Sequence, residues 1–285
     1  MEIPIELRPP VACTVLYPEF ADRSLWAANL WPNGIVPYTF SGNVGPAQQD
    51  AMRAAMDVLE SVCNVAFIPR TAEPNYLFIQ SASGNSSFIG MLGTGGQVVN
   101  IFNWNFTFIM AHELMHALGV YHEQSRADRA NYVIVDYSKI QAGYEHNFDI
   151  EAGASTVGQY DFESIMHYDA CGFSVCCPPG STCNCPTSCA PIQAKPAYAS
   201  YQQIMGSRSR LSNGDIQGLQ AKYGAVGSQP GDAIAFNPWP FPNDLVTVPN
   251  PLQNTLGVKF GDEPSFGFML TTKTGYHYLD SAPLD

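Results

Sequence analysis

Residues 112–122 read HELMHALGVYH and hold three of the chain's six histidines. A zinc ion needs imidazole nitrogens converging within ~2.1 Å of one point. His112 and His116 are four residues apart, so on a helix both rings leave the same face, one turn apart. A third ligand on the next turn would lie too far along the axis. Gly119 removes that obstacle: glycine takes a positive φ at low cost, so the helix can stop and His122 can come in from another direction. Three neutral imidazoles leave a fourth position to water, the pattern of a catalytic rather than a structural zinc site. Glu113 is turned ~100° around the helix from His112. It is badly placed to ligate beside the pair and well placed to take a proton from that water and hand it to a leaving amine. A bare HExxH arises by chance, and its histidines are then ordinary ones. The third histidine beyond Gly119 favours the metal, because polar groups in an apolar helix need partners.

The elements that must hold these groups are legible around them. FTFIMAHELMHALG (106–119) is nearly all apolar apart from its histidines and Glu113, which predicts a buried helix. PAQQDAMRAAMDVLESV (46–62) predicts a second, with Met52, Ala55, Met56, Leu59 and Val62 at helical spacing and Pro46 in its first turn. LSNGDIQGLQAKYG (211–224) predicts a third, capped by Ser212 with Asp215 three residues on and ended by Gly224. The segments at 35–40, 65–70, 76–80 and 97–102 read as strands, and the Gly-rich FIGMLGTGG between the last two reads as a loop or bulged edge. Residues 137–148 are expected to form a short helix, and YDFESIMHYD (160–169) a turn.

The chain has 285 residues and a net charge of −12. That surface argues against a nucleic-acid partner, which would need a basic face. No run approaches the ~18 apolar residues of a membrane span. Eight cysteines are present, six of them in CGFSVCCPPGSTCNCPTSC at 171–189. Dense, even-numbered clustering predicts disulfides and an oxidising compartment rather than a second metal site, so the chain is expected to be secreted, its signal peptide absent from this sequence. If the six pair among themselves, Cys13 and Cys63 are left to each other, and that disulfide is the favoured expectation. The alternative is that the Cys13 thiolate reaches the metal as a latch.

HExxHxxGxxH is the metzincin signature, and its continuation through Glu123, Arg126, Asp128 and Arg129 resembles the astacin branch of zinc metalloendopeptidases. Trp31–Tyr38, Cys63 with Phe67–Thr71, Ser164–Tyr168 and Leu211–Ile216 resemble further astacin segments in the same order, over about 29–224. The resemblance implies an α+β, two-lobed fold: a twisted mixed sheet with long helices above the cleft, and an irregular lobe below. It implies one zinc on His112, His116 and His122, with Glu113 as general base and acid. Met166 would form the floor, and Tyr168 would be a switchable ligand that stabilises the oxyanion. Glu123 would meet a mature N-terminus, and Arg126, Asp128 and Arg129 would be structural ion-pair partners. The partner would be an extended polypeptide substrate added to the sheet edge, cleaved by a monomer. The chain departs from the pattern at Ala130, where an acid is usual, and in lacking the family's disulfides. The cluster at 171–189 is expected to rebuild the S1′ wall, where Lys195, Arg208 and Arg210 are more simply read as surface cations. The organisation is then an arm at 1–28, a catalytic domain at 29–224 and an extension at 225–285. The arm has no F-x-G-D inhibitory motif, only Phe20-Ala21-Asp22. A latent or inactive zinc-binding protein is the alternative function.

Overall fold

The computed structural model describes residues 13–17, 29–180, 183–206 and 209–227, and four strands between 246 and 279. The upper lobe is a six-stranded sheet. Its strands are β1 (Thr14–Leu16), β2 (Ile35–Phe40), β3 (Ala66–Pro69), β4 (Tyr76–Ser81), β5 (Ser86–Phe88) and β6 (Gly96–Ile101). They run in the order β1-β5-β6-β4-β2-β3, parallel except for β5 against β6. Part of the stretch between the last two expected strands is therefore strand β5, which carries β1 on its outer side, with Thr14 opposite Ser86 and Leu16 opposite Phe88. Its three residues Ser-Ser-Phe are too few to give a periodic signal, so pairing rather than propensity makes them a strand.

Two helices cover the sheet. α1 (Pro46–Glu60) buries the expected stripe Met52, Ala55, Met56 and Leu59, and its first turn is closed by the Gln48 side chain accepting from Gly45 N–H at 2.8 Å. α2 (Thr107–Ala117) buries Phe108 through Ala117 without a break, as its all-round apolar sequence requires. Their shared core takes in Val36, Leu77, Ile79, Val99, Leu114 and Met115, and reaches Met166 and Leu219. Each such side chain contributes ~1.5–3 kcal/mol by burial, which holds the rigid platform from which the histidines project. The last carbonyls of α2 have no partner within the helix. Trp31 Nε1 donates to Ala117 O at 2.8 Å and the Tyr223 hydroxyl donates to Leu118 O at 3.0 Å.

The lower lobe has little regular structure. β7 (Val133–Val135) and β8 (Ile192–Ala194) form an antiparallel ribbon. A second core packs Val133, Phe148, Phe162, Tyr168, Phe173 and Ile192. The helix expected over 137–148 is absent; two 3-10 turns, Tyr137–Lys139 and Glu145–Phe148, stand there instead. Gly143, at φ +90° between them, interrupts any continuous helix. The six clustered cysteines do pair among themselves, as Cys171–Cys185, Cys176–Cys189 and Cys177–Cys183. The favoured Cys13–Cys63 disulfide does not form: both thiols are free and buried, and Cys13 lies at the histidines instead. α3 (Asn213–Tyr223) begins at the expected cap, with Ser212 Oγ accepting from Asp215 N–H at 2.9 Å. Within 225–285, β9 (Val246–Thr247), β10 (Thr255–Lys259), β11 (Phe266–Thr272) and β12 (Gly275–Leu279) pair antiparallel with one another. No described helix is long and apolar enough to cross a membrane. Phe20–Asp22 and Arg208 lie outside the described residues.

Candidate metal centre

His112 and His116 leave one face of α2, with ring centroids 4.7 Å apart. Gly119, at φ +92°, ends the helix as the sequence requires, and His122 follows in extended conformation. The Nε2 atoms of His116 and His122 are 3.1 Å apart, and those of His122 and His112 are 3.3 Å apart. A tetrahedron with ~2.1 Å metal–nitrogen arms has edges of about 3.3–3.4 Å, so the spacing suits ligands of one ion. The other ring nitrogens agree. His112 Nδ1 lies 2.6 Å from Ile165 O, and His116 Nδ1 lies 2.8 Å from Val120 O. A carbonyl only accepts, so these Nδ1 atoms carry the protons and the Nε2 atoms present lone pairs. Burial keeps the rings neutral: it lowers His112 to about 4 and His116 and His122 well below the usual histidine range. Buried lone pairs facing one another at these distances repel, and a shared cation relieves that. The donor set fits zinc.

A fourth donor completes the group. Cys13 Sγ lies 3.0, 3.4 and 3.2 Å from Nε2 of His112, His116 and His122. Among the described residues this is a metal-ligand cluster with all four donor atoms within 4.8 Å of one another. Burial, and then the charge of Glu113, push the Cys13 thiol well up in the absence of an ion. A coordinated cation reverses that preference outright. Sequence reading held this arrangement only as the alternative. No signal in the sequence favoured it, because the even count in the 171–189 cluster leaves Cys13 and Cys63 equally unclaimed.

Glu113 is fully buried and neither carboxylate oxygen has a hydrogen-bond partner. Burial pushes its pKa well up, and the nearby Cys13 thiol offsets only part of this. An unpaired buried carboxylate is costly, and on α2 next to His112 it stands ready for a proton. Met166 is buried in the main core, joined to the third ligand's loop by Glu123 N–H donating to Met166 O at 3.0 Å. The turn beneath the site hangs on α3: Asp215 accepts from Ser164 Oγ at 2.5 Å and from Ile165 N–H at 3.0 Å. Asp215 therefore serves two ends at once, the cap of α3 and the segment that orients His112.

Tyr168 is fully buried, its ring centroid 4.5 Å from that of His122. Its hydroxyl donates to the carbonyl of Cys13 rather than standing among the metal ligands. The disulfide-linked loop presses on this ring. A Cβ on Gly172 would meet Tyr168 Cδ2 at 3.0 Å, and the Phe173 ring lies 5.8 Å away on a backbone at φ +51°. Sequence reading missed these two as supports of Tyr168. Lys195 joins the lower lobe through its backbone N–H to Tyr132 O, and Arg210 lines a cavity of about 900 Å³ between the Cys-rich loop and the start of α3.

In the charged turn Arg126 and Asp128 form the expected ion pair, while Glu123 meets Arg126 rather than a chain terminus among the described residues. Arg126 pairs with Glu123 and Asp128, each at 2.9 Å. Glu123 also accepts from Asp161 N–H at 2.8 Å, and burial raises it to about 7. Arg129 differs from the expectation of an ion pair: it donates to the carbonyls of Gln124 and Phe148. Ala130, exposed beside it, offers no carboxylate, so the guanidinium binds backbone acceptors.

A mixed sheet over a His-bearing helix that ends at glycine, closed below by a methionine turn, is the framework of the metzincin zinc proteins. The chain belongs to the astacin family: the family model described as Astacin (Peptidase family M12A) matches residues 25–224. It is 31% identical over 204 residues to flavastacin of Elizabethkingia meningoseptica, covering 70% of this chain and 43% of that protein. It is 35% identical over 199 residues to bone morphogenetic protein 1 of Xenopus laevis, covering 68% of this chain and 27% of that protein. The chain thus spans less than half the length of these relatives. Among solved structures it resembles high choriolytic enzyme 1, a hatching enzyme zinc-protease of the medaka fish Oryzias latipes. There the TM-score is 0.59 at 27% identity, over 72% of this chain and 97% of that one.

Proposed function

We propose that this chain is a zinc-dependent endopeptidase acting on extended polypeptides, and that residues 13–17 hold it latent. The observation that carries the first part is the convergence of three imidazole lone pairs beside the unpartnered carboxylate of Glu113. His112, His116 and His122 would hold the ion, with Cys13 as the fourth donor in the closed state. Zinc bound there would polarise a peptide carbonyl and make water nucleophilic at neutral pH. Glu113 takes the proton released on attack at one carboxylate oxygen and delivers it to the departing amine nitrogen. Its position on α2 beside His112, with no other hydrogen-bond partner, leaves the carboxylate available for both transfers. Tyr168, once free of the Cys13 carbonyl, donates its hydroxyl to the developing oxyanion.

Latency is supported by one segment meeting three parts of this machinery. β1 lies on the exposed edge of β5, where an extended substrate would add. Cys13 places its sulfur among the histidines and its carbonyl on the Tyr168 hydroxyl. The three disulfides fit an oxidising compartment, which supports secretion, and the loop they staple supports the S1′ wall. The test is casein digestion by zinc-loaded chain, before and after cleavage within 18–28, with and without chelator, beside Glu113→Gln. Cleavage that needs zinc, needs Glu113 and rises on cutting the arm is expected. Zinc-loaded, arm-cut chain that digests nothing would overturn the peptidase reading. For Glu113→Gln the rate should fall about 10²–10⁴-fold with zinc content unchanged.

A further inference from the structure

The arm fills a pocket as well as the metal site. Tyr17, four residues beyond Cys13, is half-buried and lines a small recess of about 10 Å³ together with Tyr121, Ser125, His146, Asn147 and Glu151. Its hydroxyl donates to the Glu151 carboxylate. Glu151 is buried, at 9% exposure, and its backbone N–H donates to Ser125 O at 2.9 Å, so the carboxylate is anchored to the loop that carries His122. A second polar group waits in the same recess. Asn147 is 8% exposed, and its amide nitrogen has no hydrogen-bond partner among the described residues. A buried donor without a partner is costly unless something arrives to accept from it. The recess therefore offers an aromatic wall, an anchored acceptor and an unused donor. The Tyr17 hydroxyl answers Glu151 and leaves the Asn147 amide nitrogen unpaired, so Glu151 carries the preference for a phenol. A phenylalanine ring would fill the same space without donating to Glu151.

We infer that this recess is a substrate subsite that takes a tyrosine side chain, with Glu151 as its specificity-determining residue and Tyr17 of the arm as its resident occupant. The inference rests on the endopeptidase reading, because the subsite opens to substrate only when the arm leaves. It explains why a strand of three paired residues is seated firmly enough to stay: the arm is anchored at the metal by residue 13 and in a specific pocket by residue 17.

Two measurements decide it. In the full, zinc-loaded chain, alkylation of Cys13 by iodoacetamide, followed by peptide mass mapping, reports how often the arm opens and needs no turnover. Tyr17→Phe should speed alkylation about ten- to hundredfold, the loss of a hydrogen bond to a buried charged group. In Glu151→Gln, the same Tyr17→Phe change should matter only a few-fold. Equal alkylation of the unaltered and Tyr17→Phe chains would overturn the pocket's preference, whatever the enzyme does. Second, the zinc-loaded Cys13→Ala chain is given a mixed peptide library. Enrichment of tyrosine over phenylalanine at one position relative to the cut, lost in the chain that also carries Glu151→Gln, is expected. A profile in which the two residues rank equally at every position overturns the subsite, leaving Glu151 a clamp for the arm alone. No cleavage of any peptide strikes the endopeptidase reading instead, while the alkylation ranking still stands or falls by itself.

Discussion

Cys13→Ala tests whether the thiol holds the protein shut. Ordering residues 13–17 costs ~1–2 kcal/mol each, ~5–10 kcal/mol in all. Against this stand contacts that survive the substitution. β1 keeps its three registered pairs with β5, at ~1 kcal/mol for each of about three hydrogen bonds. Val15 stays buried, for ~2 kcal/mol. The Cys13 carbonyl still accepts from Tyr168, for ~1 kcal/mol, and Tyr17 still donates to the charged Glu151, for ~2 kcal/mol. The sum is ~8 kcal/mol, inside the range of the cost. Without its thiolate the arm is therefore close to balanced between closed and open, and a sizeable fraction of molecules is expected to be open. With the thiolate on zinc, each additional ~1.4 kcal/mol lowers the open fraction tenfold. The zinc-loaded Cys13→Ala chain should thus digest a fluorogenic peptide at least tenfold faster than the unaltered chain, with both uncut at 18–28. Cutting the arm should then raise the unaltered chain far more than the variant. If the two uncut chains are equally slow and gain equally on cutting, the thiol contributes nothing to latency, and the strand pairing alone would have to explain it.

Three further outcomes are expected. Tyr168→Phe in the arm-cut enzyme should lower kcat about 10²–10³-fold with little change in KM, as loss of one oxyanion donor does; equal losses of substrate binding would argue for a packing role. Asp128 is held below the usual aspartate range by the Arg126 guanidinium, so its contribution to stability is fully present above pH ~4 and fades as pH falls through its lowered pKa. Urea unfolding of Asp128→Asn should accordingly differ from the parent at pH 6 and converge with it as the pH falls through the lowered pKa of Asp128. Removing the Cys171–Cys185 bridge, which spans 14 residues, by changing both to serine should cost up to ~3 kcal/mol in thermal unfolding. Because Gly172 and Phe173 back the Tyr168 ring, kcat should fall with it.

The metal centre was legible because its information is local. His112, His116, Gly119 and His122 lie within one helix and its exit, so the helical period and the freedom of glycine suffice to bring three rings together. α1 and α3 were legible for the same reason, from a repeating apolar stripe in one and a capping pair in the other. Where local signals were weak, expectation and structure parted. Residues 137–148 carry polar spacing that suits a helix, but Gly143 and the packing of Phe148 under Tyr168 divide them into separate turns. Residues 86–88 became a strand only because a neighbour pairs on each side.

The sequence by itself determined the three-imidazole site, the carboxylate beside it, the helices that carry them and the pairing of the clustered cysteines among themselves. It could not determine where Cys13 goes. Counting thiols left Cys13 and Cys63 as partners, and nothing in their spacing said otherwise. The tertiary structure decided against that pairing, because β5 offers the arm an open edge and the three histidines, about a hundred residues away in the chain, close around its sulfur. The same holds for Tyr17 with Glu151, 134 residues apart. Contacts of that kind depend on how two lobes and a strand come to share one cleft, and no local propensity encodes it.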